Sequence, residues 1–221
     1  MNHSVSILEK QWLSGNMIRL VVEKPRGYEY HIGQAVELAI DKPEYQNNFA
    51  PFTLTSLPDS SYLEFIIKVY PANHGLTLAM AKLSTKTKLL VSDAWDSYRY
   101  DGPGTFIAGG SGITPFIPML RDLHHKGRLD RHLLINANKT SGDIVLQSEL
   151  EGMLNGRFIN ILSQENNPLH DHGTIDLEYL TKTIGSPQQK FYLCGPPGFS
   201  EGIKDHLLLL GVREKNIQIG Y

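Results

Sequence analysis

A single cysteine, Cys194, is present in 221 residues, so no intramolecular disulfide can form. Neither an all-cysteine zinc site nor an iron–sulfur cluster can be built from this chain alone. That usage predicts a reducing, cytoplasmic setting. No apolar run approaches the ~20 residues that span a bilayer. The opening stretch MNHSVSILEKQWLSGN lacks the basic start and long apolar core of a signal peptide. Excess charge of one sign is also lacking: 21 Lys+Arg stand against 23 Asp+Glu, which removes the bulk electrostatic case for nucleic acid or an anionic membrane. What remains is ordinary globular composition, 41% hydrophobic and 20% charged, without low complexity or an internal repeat.

From Ser4 to about Asp93 the apolar runs are short and rich in β-branched residues: VSIL, MIRLVVE, AVELAI, FTLTSL, LEFIIKVY and KLLVSD. Runs of this length and composition predict strands. Turn chemistry separates them, with Ser14-Gly15-Asn16 between the first two and His31-Ile32-Gly33-Gln34 before the third. Adjacent short strands with tight turns predict an antiparallel barrel. Helix formers replace β-branched residues only over Gly75 to Leu83, which predicts one short helix.

After Gly102-Pro103-Gly104 the order changes to strand, helix, strand, helix. Phe106–Gly109 precedes PFIPMLRDLHHKG, HLLINAN precedes IVLQSELEGML, RFINILSQ precedes LEYLTKTIG, and KFYLCG precedes FSEGIKDHLLLLG. Such alternation predicts a parallel sheet with crossover helices. The chain therefore divides into residues 1–101 and 102–221.

Gly109-Gly110-Ser111-Gly112-Ile113-Thr114-Pro115 follows a predicted strand and opens a predicted helix, the context in which a glycine loop binds a pyrophosphate. A tight strand-to-helix turn without a ligand is the alternative. Pro115 stands where the usual dinucleotide fingerprint has its third glycine, and no acidic residue ends the next strand. That strand runs into Asn136-Ala137-Asn138-Lys139-Thr140, where Lys139 either meets a 2′-phosphate or is a solvated surface lysine. An ordinary Rossmann dehydrogenase fits poorly.

GGSGITPF, CGPP at Cys194 to Pro197, and APFTLTS at Ala50 to Ser56, in this order and spacing, make the chain similar to the ferredoxin-NADP reductase family over essentially its whole length. The resemblance implies a six-stranded antiparallel flavin-binding barrel followed by a Rossmann-like parallel-sheet NAD(P)-binding domain. It implies FAD as cofactor, with FMN the second choice, and NADPH or NADH as substrate. Hydride would pass from nicotinamide to flavin, and electrons on to a separate carrier such as flavodoxin or ferredoxin. The alternatives are a reductase of small molecules, free flavins or quinones, and a flavin-binding regulatory subunit without turnover of its own.

Carried over by motif, the family's Arg-x-Tyr-Ser/Thr pattern falls on Ala50 to Thr53. Pro51, Phe52, Thr53 and Leu54 would line the flavin, with Phe52 stacking and the Thr53 hydroxyl near N5; core packing is the other reading of Phe52. Ala50 takes the place of the phosphate-binding arginine, so flavin is expected to be held less tightly than is usual in the family. Backbone at Lys68 and Val69 would line the ring, and Gly75, Leu76 and Thr77 would hold the pyrophosphate. Gly110, Ser111, Gly112, Thr114 and Pro115, together with Cys194, Gly195 and Pro196, would receive the nicotinamide nucleotide. Thr53, Cys194 and Tyr221 are the catalytic candidates, Tyr221 as an aromatic cover over the flavin. Ile219 departs from the family, where many branches carry glutamate.

Nine histidines do not assemble into a metal motif. His170-Asp171-His172 reads as a surface loop, and His124-His125 as the basic end of a helix. No metal site is expected.

Overall fold

The computed structural model describes residues 2–45, 47–71 and 75–220. The chain divides into two compact units, Met1–Arg99 with Ile117–Met119, and Tyr100–Phe116 with Leu120–Tyr221. In the first unit the strands are β1 (His3–Trp12), β2 (Met17–Glu23), β3 (Gln34–Ile40), β4 (Ala50–Thr53), β5 (Tyr62–Lys68), β6 (Lys88–Val91) and β7 (Trp95–Asp96), with helix α1 (Leu76–Lys82) between β5 and β6. Six of them form a nearly closed antiparallel barrel in the order β4-β3-β6-β1-β2-β5, and β7 pairs with β3 beside that path.

Period-two patterning accounts for the barrel interior. Ile18, Leu20 and Val22 of β2, Val36 and Leu38 of β3, and Leu63, Phe65 and Ile67 of β5 all enter one buried cluster. Each such side chain taken out of water contributes roughly 1.5–3 kcal/mol. The alternation breaks once, at a bulge between Ile7 and Glu9 in the β1–β2 ladder, and Leu8 is left exposed there. Helix α1 ends where the Lys10 ammonium donates to the Ala81 and Leu83 carbonyls, satisfying acceptors that have no partner within the helix.

The second unit contains β8 (Gly104–Gly109), α2 (Phe116–His125) except its Ile117–Met119 segment, β9 (Leu133–Asn138), α3 (Gln147–Leu154), β10 (Phe158–Leu162), β11 (Asp171–His172), α4 (Leu177–Thr183), β12 (Lys190–Cys194), α5 (Pro197–Leu209) and β13 (Ile217–Gly220). The sheet order is β11-β10-β9-β8-β12-β13, and every pairing is parallel. Central β8 is buried along its whole length, as a strand covered on both faces must be. The chain steps outward from β8 to β9 and β10, then returns to place β12 on the other side of β8. That reversal is a topological switch point, where open α/β sheets bind ligands beyond the carboxyl ends of the strands. On the far side of β12, the register sets Gly220 of β13 against Cys194.

Three boundaries differ from the sequence expectation, each for a local reason. The strand expected over Phe52–Leu57 is β4, which stops at Thr53 because Thr55 leaves β3 and bonds instead to Glu64 of β5. The helix expected from Ile144 starts at Gln147. A 3-10 turn over Ser141–Asp143, closed by a reciprocal Thr140–Asp143 capping box, precedes it and leaves Ile144 and Val145 as buried chain. The two-residue strands β7 and β11 are too short to produce any periodicity.

Candidate functional site

The parallel sheet brings two sequence motifs to one place. Gly110–Ile113, directly after β8, is a 3-10 turn, and Gly110 enters it at φ 55°, a conformation that favours glycine. Cys194 closes β12 and pairs in register with Ala108 of β8, so the two loops emerge side by side. Gly112 lies so close that a Cβ built on it would stand 2.0 Å from the Cys194 carbonyl oxygen and 2.8 Å from the Gly195 nitrogen. Only glycine permits that approach of main chain to main chain.

The same end carries the starts of two helices. Pro115 caps α2 and Pro196 caps α5, neither with a side-chain cap hydrogen bond, and neither helix has an acidic residue in its first turn. The positive dipole ends of both helices point to the end of the sheet at which the glycine turn and the Cys-Gly-Pro loop emerge. Within α5 the Ser200 hydroxyl is 2% exposed and has no hydrogen-bond partner among the described residues. The Thr114 hydroxyl donates to the Ser111 carbonyl at 3.1 Å, which ties the turn to the start of α2. These features fit a nucleotide phosphate. Burial pushes the Cys194 thiol up to about 11, so at neutral pH it is an un-ionised thiol.

Beyond the end of β9 stands an acidic residue that the sequence reading did not single out. Lys139, the sequence candidate, is exposed. Beside it, the Ser141 N–H and hydroxyl donate to the Glu165 carboxylate at 2.7 and 2.8 Å, and the Asn167 amide adds a third bond at 3.0 Å. The Ser141 backbone bond, then the Asn167 and Ser141 side chains, hold the Glu165 carboxyl below its ordinary range. Glu165 belongs to the loop after β10, so an acidic group stands beside the end of β9 although β9 itself ends without one. His172 Nδ1 is bonded to the Glu165 carbonyl oxygen at 2.9 Å in the same loop.

In the barrel unit, pairing settles which way the β4 side chains face. Phe52 pairs with Val36 and Ala50 with Leu38, so both face the barrel cluster, against which they pack half-buried. Pro51 pairs with Glu37 and Thr53 with Ala35, on the outer face. Leu54 is buried, and its N–H donates to the Gln34 carbonyl at 3.2 Å. The Val69 N–H is already bound to the Asn16 carbonyl at 2.8 Å, and Lys68 Nζ lies 5.7 Å from the Tyr70 ring centroid. Gly75 caps α1 without a side-chain bond. Thr77 Oγ1 accepts the Tyr70 N–H at 3.3 Å, which leaves its own proton to donate. Tyr221 lies outside the described residues.

Residues 2–117 match the family described as FAD-binding domain, and residues 106–205 the family described as oxidoreductase NAD-binding domain. The chain is 28% identical over 195 residues to the reductase component of propane 2-monooxygenase from Rhodococcus jostii, covering 81% of this chain and 52% of that protein. It is 27% identical over 224 residues to NADH–cytochrome b5 reductase 1 of Arabidopsis thaliana, covering 93% and 79%. The chain spans about half the length of several curated relatives that it matches, 52% to 59% for three of them. In fold it resembles a ferredoxin NADP+ reductase from Neisseria gonorrhoeae solved with bound FAD and NADP, at a TM-score of 0.82 and 20% identity, covering 99% of this chain and 97% of that one. No helix among the described residues is long and apolar enough to cross a membrane.

Proposed function

The chain belongs to the ferredoxin-NADP reductase superfamily, and from that premise we propose that it oxidises NAD(P)H through FAD and passes the electrons to a separate protein carrier. The observation that carries this reading is the contact of Gly112 with the Cys194–Gly195 backbone, which joins the glycine turn and the Cys-Gly-Pro loop into one nucleotide cradle at the switch point. Bound flavin supplies the hard chemistry, accepting a hydride and releasing electrons. The chain's own residues position the reactants. The turn at Gly110–Gly112 and the uncapped start of α5 bind the nucleotide pyrophosphate, and the neutral Cys194 thiol packs against the nicotinamide. Pro51 and Thr53 of β4, with Leu54 just after it, border the flavin, and Gly75–Thr77 with backbone at Lys68 and Val69 complete that half. The functional division we propose, at 101/102, lies two residues past the break between the compact units at Arg99/Tyr100.

For the acceptor, the flavodoxin or ferredoxin of the sequence reading is widened to any one-electron carrier protein, haem carriers included. Relatives named as cytochrome b5 reductases and as an oxygenase reductase component support that breadth. The test is an anaerobic titration of the FAD-loaded protein with NADH and with NADPH. Either nucleotide should bleach the visible flavin band, and added cytochrome b5 or ferredoxin should restore it. Flavin that stays oxidised under both nucleotides overturns the reading.

Cys194→Ala is expected to slow flavin reduction about tenfold, ~1.4 kcal/mol in activation free energy, through looser placement of the nicotinamide. Flavin content should be unchanged. Because the thiol stays protonated up to about pH 11, the wild-type reduction rate should show no thiol titration between neutral pH and pH 9. Complete loss of hydride transfer, or a trapped thiol adduct, contradicts the positioning role.

A further inference from the structure

Strands β4 and β5 end the barrel order at opposite sides, and among the described residues they form no ladder with one another. Yet they are pinned at one point. The Thr55 N–H donates to the Glu64 carbonyl at 2.8 Å, and the Thr55 hydroxyl donates to Glu64 Oε1 at 2.8 Å. The Glu64 N–H in turn donates to Ser56 Oγ at 3.0 Å, and Ser56 Oγ is bonded to the Tyr30 hydroxyl at 2.8 Å. The second carboxylate oxygen of Glu64 accepts from Arg19 Nε of β2 at 2.6 Å. Thr55, Ser56 and Glu64 are buried, at 0%, 2% and 1% exposure.

We propose that the Thr55–Glu64 clamp sets the width of the opening between β4 and β5, and thereby the seating of the flavin. This rests on the reading of β4 as the flavin strand. Thr53 stands on one side of the opening and Lys68–Val69 on the other, and the clamp is where the two sides meet. Thr55 lies two residues beyond Thr53, the last residue of β4, so the bonds that anchor Thr55 to Glu64 fix where the chain leaving Thr53 must run. Glu64 is held in place by Arg19 Nε at 2.6 Å, and the same guanidinium is anchored on its other side by Glu9 at 2.9 Å, so turning the buried Glu64 carboxylate away would break its bonds to both Arg19 and Thr55. Thr55 and Glu64 are positioning residues; neither reacts.

The experiment compares Thr55→Val, Thr55→Ser, Glu64→Gln, Thr53→Val and Tyr28→Phe in the full chain. Tyr28→Phe serves as the stability control, because the Tyr28 hydroxyl donates to the Ser92 carbonyl in another part of the barrel. For each, the FAD dissociation constant, the visible flavin band, the flavin midpoint potential and the melting temperature are measured. Thr55→Val should weaken FAD binding about tenfold, the effect of one lost hydrogen bond to a charged group, and should shift both the band and the potential. Thr55→Ser should restore them. Glu64→Gln keeps the shape and weakens the bond, so it should move the same quantities in the same direction, and it gives the answer alone should Thr55→Val not fold. Tyr28→Phe should lower the melting temperature without moving band or potential. If Thr53→Val perturbs the flavin while Thr55→Val and Glu64→Gln do no more than Tyr28→Phe, the clamp is merely structural and the proposal fails while the flavin site stands. If Thr53→Val also leaves the flavin unchanged, β4 is not the flavin strand and both fall together.

Discussion

Gly112→Ala is expected to abolish productive nicotinamide binding while leaving the barrel able to take up flavin. The new Cβ would lie 2.0 Å from the Cys194 oxygen and 2.4 Å from its carbonyl carbon. Both are main-chain atoms at the end of a strand paired with β8, so no side chain can swing away to make room. Relief requires prising the glycine turn off β12. Overpacking of this kind costs about 1–3 kcal/mol, which a domain of ordinary stability survives. The site does not survive it, because a displacement near 1 Å at a positioning element lowers turnover on the order of 100-fold. Stopped-flow flavin reduction should show that loss for both NADH and NADPH, with FAD affinity within twofold of wild type. A variant that still reduces flavin at the parental rate would show that the cradle is not where the nucleotide binds.

NADH is expected to be used in preference to NADPH, and Glu165→Gln should erode that preference by on the order of tenfold. The carboxylate sits with Ser141 beyond the carboxyl ends of β9 and β10, on the side where dinucleotides lie across such sheets. A ribose 2′-hydroxyl can donate to a carboxylate there, whereas a 2′-phosphate meets a like charge. Because the Glu165 pKa is lowered, its contribution is complete at neutral pH and above. As pH falls through that lowered value the carboxylate takes up a proton, and both the Ser141 clamp and the discrimination should fade together. The ratio of kcat/KM for the two nucleotides, measured from pH 7 downward in wild type and variant, checks both statements. A wild-type enzyme that uses NADPH as well as NADH at pH 7 sinks the assignment.

Much of the fold was legible because local chemistry and tertiary structure agree. The run MIRLVVE is β2 from Met17 to Glu23, and KFYLC is β12 from Lys190 to Cys194, since β-branched and apolar residues there meet a buried sheet. The change from strand-only to alternating order marked the passage into the parallel sheet. What stayed hidden depends on contacts between distant segments. Glu165 and Ser141 are separated by 24 positions, and only the parallel pairing of β9 with β10 brings their loops together. The early end of β4 is likewise written in β5, in the buried Glu64 that captures Thr55. Ala50 was visible as a missing arginine. That it faces inward beside Leu38, in a small slot against the barrel cluster, required the register.

The register of β13 against β12 constrains how this unit can be joined to other polypeptide. Gly220 lies opposite Cys194, so β13 ends beside the thiol. On the proposed reading, a module tethered beyond β13 would start next to the loop assigned to the nicotinamide nucleotide, where a bulky tether would obstruct binding. Under the proposed reading, fusions and affinity tags are expected to disturb nucleotide binding less at the other terminus, where β1 begins by pairing with Val91 of β6.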